Sequence, residues 1–286
     1  MGRLFSPLRY PGGKTSMLAL MAAIIRENDL QRTPYVEPFA GGCGLALGLL
    51  FHGYVSEIHV NDIDPAVWAF WHCVLTRPEE LIQRVDSADL SVPEWRRQRE
   101  VCLKGDLNDP LALGFSTFFL NRTNRSGIIK GAGLIGGLAQ TGNYKLDCRF
   151  NRDELAHRIR RIYKYRDRIT LTRLDALDFL ASADSMVARR AMFCIDPPYF
   201  KKGSSLYTSF YRAADHAALA KVILDLDRQW VVTYDNCPEI NDLYASRSRY
   251  TFDVNYSVQT KRSANELLIS SAGLDLPFAL EGRRVA

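Results

Sequence analysis

The chain has 286 residues, 47% of them hydrophobic and 24% charged, with a formal net charge of +5; that is enough for one large domain or a domain carrying an insertion. No run of about 18 apolar residues occurs, and the N-terminus MGRLFSPLRYPGGK has no signal-peptide core, so a soluble, cytoplasmic protein without membrane contact is expected. The six cysteines are scattered with no C-x-x-C spacing, which points to reduced thiols and to no metal site or disulfide framework.

In chain order, residues 14 to 27 (KTSMLALMAAIIRE) carry helical apolar spacing. PYVE at 34 to 37 reads as a strand running into the glycine-rich FAGGCG and the apolar helix LALGLLF. EIHVND is a second strand, ending in acids, and DPAVWAFWHCVLT a helix with Pro65 at its favoured first position and Asp64 as its cap. Two β-α units in succession predict a parallel sheet. From about Arg77 to Arg168 the rhythm breaks into helical segments, a loop SGIIKGAGLIGGLAQTGNY and a basic helix from Arg152 to Tyr165. It resumes with ITLTRL, the helix DALDFLASA and the short apolar strand RAMFCI at 190 to 195. Downstream, DHAALAKVILDLD is a helix, QWVVTYD a strand, and SRYTFDVNY and ELLIS form an antiparallel edge. The expected class is α/β: a mostly parallel sheet domain from 1–76 and 169–286, with 77–168 an inserted, mainly helical subdomain.

Charge is unevenly placed. Between Phe119 and Arg168 twelve basic residues face four acids, a net +8, so the remainder is slightly acidic. A basic segment in a near-neutral chain fits a phosphate-backbone contact, a solvated helix face being the plainer alternative.

Two stretches carry chemistry. In FCIDPPYF (193–200) an acid, Asp196, ends a buried strand, at the sheet edge where open α/β sheets bind ligands. Pro197 and Pro198 stiffen the loop after it; the structural alternative is a strand-ending Asp with a proline-stopped turn. The glycine turn EPFAGGCG (37–44) and the acids of VNDIDP (60–65) form the other pair. A glycine turn lets backbone approach a ligand, and an acid ending the next strand can accept from a ribose diol, which suits an adenosine cofactor. FAGGCG is neither G-x-G-x-x-G nor a Walker sequence, so dinucleotide and nucleoside-triphosphate readings weaken.

RYPGGK (Arg9 to Lys14), EPFAGG (Glu37 to Gly42), NDID (Asn61 to Asp64), LNR (Leu120 to Arg122), DPPY (Asp196 to Tyr199) and KRSANELLIS (Lys261 to Ser270), in this order, resemble the DNA adenine methylases of the Dam type over nearly the whole chain. The resemblance implies a Rossmann-like methyltransferase sheet, S-adenosylmethionine as methyl donor and the exocyclic amine of adenine in double-stranded DNA as acceptor. It implies a bacterial or phage, nucleoid-associated protein, with or without a companion restriction endonuclease, and puts target recognition in the basic insertion. It places Tyr10, Lys14 and Asp196 at the donor site, Asp62 on the donor's ribose, Glu37, Phe39 and Gly41 at the glycine turn near the methionine end, and Asp178 near the donor's adenine, capping of its own helix being the alternative. One departure stands out: the family pattern F-x-G-x-G wants glycine at Cys43, and this chain supplies it one residue late, at Gly44.

On this reading the Asp196 carboxylate and the Pro197 carbonyl each accept one hydrogen of the amine and aim its lone pair at the methyl group. Tyr199 offers a face on which an extruded adenine stacks. Tyr207, Phe210 and Tyr211 close over the base or pack as core. Asn121, Arg122, Asn124 and Arg125 are candidates for base readout, with phosphate contacts or structural bonds the alternative for each. Lys130, Arg158 and Arg161 are candidates for DNA contact within the basic segment. Methylation of RNA or of cytosine N4, and a DNA-binding regulator with a vestigial donor site, are the rival readings. The target sequence and oligomeric state are not legible.

Overall fold

The computed structural model describes residues 5–10, 13–201, 211–256, 262–277, 280 and 283–285; Tyr207 and Phe210 lie outside the described residues. The chain forms two compact units, one of Lys14–Asp62 with Leu174–Ala286, the other of Met1–Gly13 with Ile63–Arg173.

Seven strands, β1 (Tyr35–Glu37), β2 (Ile58–Asn61), β3 (Ile169–Thr172), β4 (Met192–Ile195), β5 (Gln229–Asp235), β6 (Ser248–Tyr256) and β7 (Arg262–Ser270), make a sheet in the order β3-β2-β1-β4-β5-β7-β6. β1 pairs parallel with β2 and β4, and β4 with β5; β7 then runs antiparallel between β5 and β6. This is the expected Rossmann-like sheet, mostly parallel with an antiparallel edge. All residues of β1, β2 and β4 are buried, the polar Glu37, His59 and Asn61 included, as strands of a parallel sheet covered on both faces should be. Val36, Phe193, Ile195, Trp230 and Val232 form one core with Phe179, Leu219 and Ile223. The sheet's direction of progression reverses between β1 and β4, and such a switch point opens a crevice at the strands' carboxyl ends. The glycine turn follows β1 and Asp196 follows β4, so the two chemically suggestive stretches leave adjacent strands at the same edge.

The other unit is built around α6 (Pro110–Thr123), started by Pro110 and capped by Asp109, whose carboxylate accepts from Ala112 N–H at 2.9 Å. Every residue from Leu113 to Thr123 is buried. The hydroxyls of Ser116, Thr117 and Thr123 donate to carbonyls three or four residues back, each at 2.8 Å, which satisfies them in an apolar setting. The insertion is expected from residue 77, but α3 (Pro65–Thr76) belongs to this unit too. Phe70 stacks on Phe118 with centroids 5.6 Å apart, and Gly114 lies so close to α3 that a Cβ there would sit 2.8 Å from the Ala69 carbonyl oxygen. Asp64 caps α3 by accepting from Ala66 N–H at 2.8 Å. The basic helix is α7 (Arg152–Tyr163), whose Leu155, Ile159 and Ile162 face inward. Among the described residues no helix is long and apolar enough to cross a membrane.

Candidate active site

The glycine turn is shaped by positive φ angles: 45° at Gly41 and 48° at Cys43, where the chain turns into α2 (Gly44–Phe51). Cys43 thus occupies a left-handed conformation that glycine adopts without strain, which explains in backbone terms why the related pattern wants glycine there. Gly44 answers a different need. A Cβ at that position would meet the Thr15 hydroxyl oxygen at 2.2 Å, so α2 approaches the turn Lys14–Met17 closely. The end of β2 holds the loop in place. Ala40 N–H donates to the Asn61 carbonyl at 2.8 Å, and Gly41 N–H to Asp62 Oδ2 at 2.9 Å. Asn61 in turn is bound to Pro38 and Leu174 backbone, at 3.1, 3.0 and 2.8 Å. Asp62 is half-buried beside the turn.

At the end of β4 stands a cluster of charge. Lys14, only 6% exposed, brings its ammonium 2.8 Å from Asp196 Oδ2 and 3.7 Å from Glu266 Oε2, and donates to the Tyr199 hydroxyl at 2.9 Å. The same ammonium lies 5.1 Å from the centre of the Tyr199 ring. Asp196 Oδ1 accepts from the Thr233 hydroxyl at 2.6 Å. Among the described residues each carboxylate oxygen therefore has one hydrogen-bonding or ion-pair partner and keeps capacity to accept a second hydrogen. The Asp196 side chain is 22% exposed, so it can be reached, whereas Tyr199 is 6% exposed. Lys14, Asp196 and Tyr199, singled out from the sequence, meet directly; Thr233 and Glu266 were not given roles. The available signal for both was a polar residue inside an otherwise apolar buried strand, Thr in QWVVTYD and Glu in ELLIS.

Glu37, at the end of β1, is buried and accepts from the Tyr35 hydroxyl at 2.9 Å. Burial pushes its carboxyl up to about 8, against the opposing pull of that hydrogen bond. Phe39 meets Tyr211 edge-on at 6.0 Å, and Tyr211 and Phe200 pack on His216 at 5.5 and 5.0 Å. Pro197 is buried. Asp178 is exposed in the first turn of α8 (Ala176–Ala181), but the cap of that helix is Asp175, which accepts from Leu177 N–H at 2.8 Å. Tyr10 is half-buried and falls in the helical unit, where its carbonyl accepts from Gly13 N–H at 3.2 Å.

Of the four candidates for base readout, Asn121, Arg122 and Asn124 are buried and make the structural bonds that were the alternative, while Arg125 is exposed. Asn121 is fully buried: its carbonyl accepts from Arg9 N–H at 2.7 Å, and its amide donates to the Arg9 and Gly127 carbonyls at 3.0 and 2.7 Å. Asn124, 1% exposed, accepts from the Trp95 indole at 2.7 Å and donates to the Ile128 and Ile129 carbonyls at 2.8 and 3.2 Å. Arg122 is 8% exposed and donates to the Arg149 and Pro7 carbonyls at 2.7 and 3.3 Å. These three are engaged with backbone and side chains inside the helical unit. Lys130 lies 3.1 Å from Asp64, and Arg158 donates to Glu154 and to the Ser6 carbonyl at 2.8 and 3.0 Å. Arg125 is exposed and Arg161 half-buried. Burial, followed by the guanidiniums of Arg9, Arg158 and Arg149, lowers Arg122 to about 9, so positive charge is crowded in this part of the unit.

Among the described residues, no group of His, Cys, Asp and Glu is arranged to hold a metal ion. Compared with known protein families, residues 10–258 match the D12 class N6 adenine-specific DNA methyltransferases. No curated protein matches the chain.

Proposed function

The chain belongs to the D12 class of N6 adenine-specific DNA methyltransferases, and from that premise we propose that it places the methyl group of S-adenosylmethionine directly on the N6 amine of an adenine extruded from double-stranded DNA. The donor supplies a methyl carbon made electrophilic by the adjacent sulfonium. The residues fit such a molecule: the turn Gly41 to Gly44 would let backbone approach it, Asp62 offers carboxylate lone pairs beside the turn for a ribose diol, and Phe39 and Glu37 would hold the methionine end.

The observation that carries the reading is the placement of Asp196, fixed through both carboxylate oxygens at the switch-point edge next to the glycine turn. Adenine's amine is a weak nucleophile because its lone pair is delocalised into the ring. Asp196 and the Pro197 carbonyl accept its two hydrogens, which orients the lone pair. As the N–C bond forms the C–S bond breaks and the neutral thioether leaves; the fixed anion favours the positive charge that develops on the nitrogen, and one amine hydrogen then departs as a proton. Lys14 contributes by holding the carboxylate and the Tyr199 hydroxyl in one geometry. Tyr199, with Tyr211 and Phe200 nearby in sequence, provides the aromatic surface for the base. The crowded guanidiniums of the helical unit favour an anion, which fits a DNA phosphate.

Transfer of a labelled methyl group from S-adenosylmethionine to DNA, to RNA and to DNA lacking adenine tests this reading. Label appears as N6-methyladenine in DNA alone; label in RNA, or as N4-methylcytosine, overturns it.

A further inference from the structure

We propose that Thr233 and Asp235 are positioning residues for this transfer, clamping the two ends of the segment Asp196–Lys201 to one face of β5; the inference rests on Asp196 being the acceptor of the amine hydrogens. Residues two apart on a strand share a face. Thr233, fully buried, donates its hydroxyl to Asp196 Oδ1 at 2.6 Å. Asp235 accepts Phe200 N–H on Oδ1 and Lys201 N–H on Oδ2, both at 2.9 Å. The front of the segment is thus tied through its acid, and the back through the two amides that directly follow Tyr199.

The sequence explains why side chains hold this segment. Pro197 and Pro198 have no N–H, so the stretch between the acid and Tyr199 has few backbone donors with which to anchor itself. An aspartate's terminal torsion is broad, and a carboxylate pinned at one oxygen can turn about it. Lys14 pins Oδ2; the Thr233 hydroxyl pins Oδ1 and leaves one orientation. A buried hydroxyl in a strand otherwise filled by Trp230, Val231 and Val232 is costly unless it is bonded, and its bond is to the reacting group. β7 completes the arrangement from the other side. Glu266 stands opposite Asp235 in the ladder and 3.7 Å from the Lys14 ammonium.

The test is single-turnover methylation of a long, unmethylated duplex of mixed sequence, with S-adenosylmethionine and DNA affinities measured on each variant. Thr233→Val keeps the shape and removes the hydroxyl. It should slow transfer about tenfold to a hundredfold, the effect of one lost hydrogen bond to a charged group, with both affinities unchanged. Thr233→Ser should restore the rate to within about threefold, because it returns the donor. Asp235→Ala should slow transfer without weakening donor binding. Full speed in Thr233→Val, or equal impairment in the Val and Ser variants, overturns the clamp. Asp196→Ala is run beside them: if it is inactive while Thr233→Val is fully active, the clamp alone is wrong, and if Asp196→Ala is itself active, the reading beneath it falls as well.

Discussion

Lys14 sits between Asp196 and Glu266 with its ammonium on the Tyr199 hydroxyl, so one substitution there disturbs three groups at once. Lys14→Met removes the cation from between two acids, one of them almost fully buried. It should destabilise the fold by about 3 kcal/mol and eliminate transfer, as measured by urea denaturation and a single-turnover assay. Tyr199 makes a contact that its sequence context did not disclose. Stacking needs only the ring, but the hydroxyl is an acceptor for Lys14, so Tyr199→Phe should slow transfer about tenfold and Tyr199→Ala far more. An undiminished rate in the Phe variant would show that Lys14 holds Asp196 without help from the phenol. Glu37 gives a pH dependence of unusual sign. Its carboxyl, pushed by burial to about 8, keeps its proton at neutral pH in the folded chain and loses it in the unfolded one. The unfolded state then binds fewer protons, so this group's contribution to stability falls as pH rises from about 4.5 to about 8. Urea midpoints should decline across that window more steeply for the native protein than for Glu37→Gln; equal slopes would contradict the assignment.

Among elements, the glycine turn shows how far sequence reasoning reaches. The strand–glycine–helix pattern and the acid at the end of β2 are local features, and both are legible from spacing. The substitution of Cys43 for an expected glycine was visible too, but only the backbone angle of 48° states its consequence. A left-handed residue with a Cβ carries about 1 to 2 kcal/mol of strain. Cys43→Gly should therefore bind S-adenosylmethionine at least as well as the native chain, and β-branched Cys43→Val worse, by calorimetry. Gly44→Ala should weaken the fold through its clash with the Thr15 hydroxyl, and Thr15→Ala in the same chain should relieve it. Asn121 and Asn124 illustrate what was not legible. Residue type suggests base readout, but the partners of Asn121 include the backbone of Arg9, 112 positions away, and no local pattern announces such a contact. A polar side chain at the end of an apolar helix reads the same whether it faces water or a buried carbonyl. Thr233 stands out as a polar residue in an apolar strand, but its partner, Asp196 at the end of the neighbouring strand, was not legible.

For the whole molecule, the net +8 between Phe119 and Arg168 has to be divided between structure and surface. Arg122, Lys130 and Arg158 are engaged inside the helical unit, whereas Arg125, Lys145 and Arg149 are exposed. Neutralising the exposed three together should flatten the dependence of log DNA affinity on log salt by up to about three phosphate contacts, with little change in stability. Neutralising Arg122 should instead unfold the unit. An unaltered salt slope for the first variant would move the DNA surface to other residues. The proposed mechanism makes catalysis depend on a carboxylate fixed at the end of β4 acting on an amine. The most direct test of that dependence is formation of N6-methyladenine in a single turnover by Asp196→Ala, with folding and S-adenosylmethionine binding verified on the same sample. The native chain should form the product, and the variant should bind the donor and form none above background; transfer by the variant at a rate near that of the native chain would contradict the mechanism.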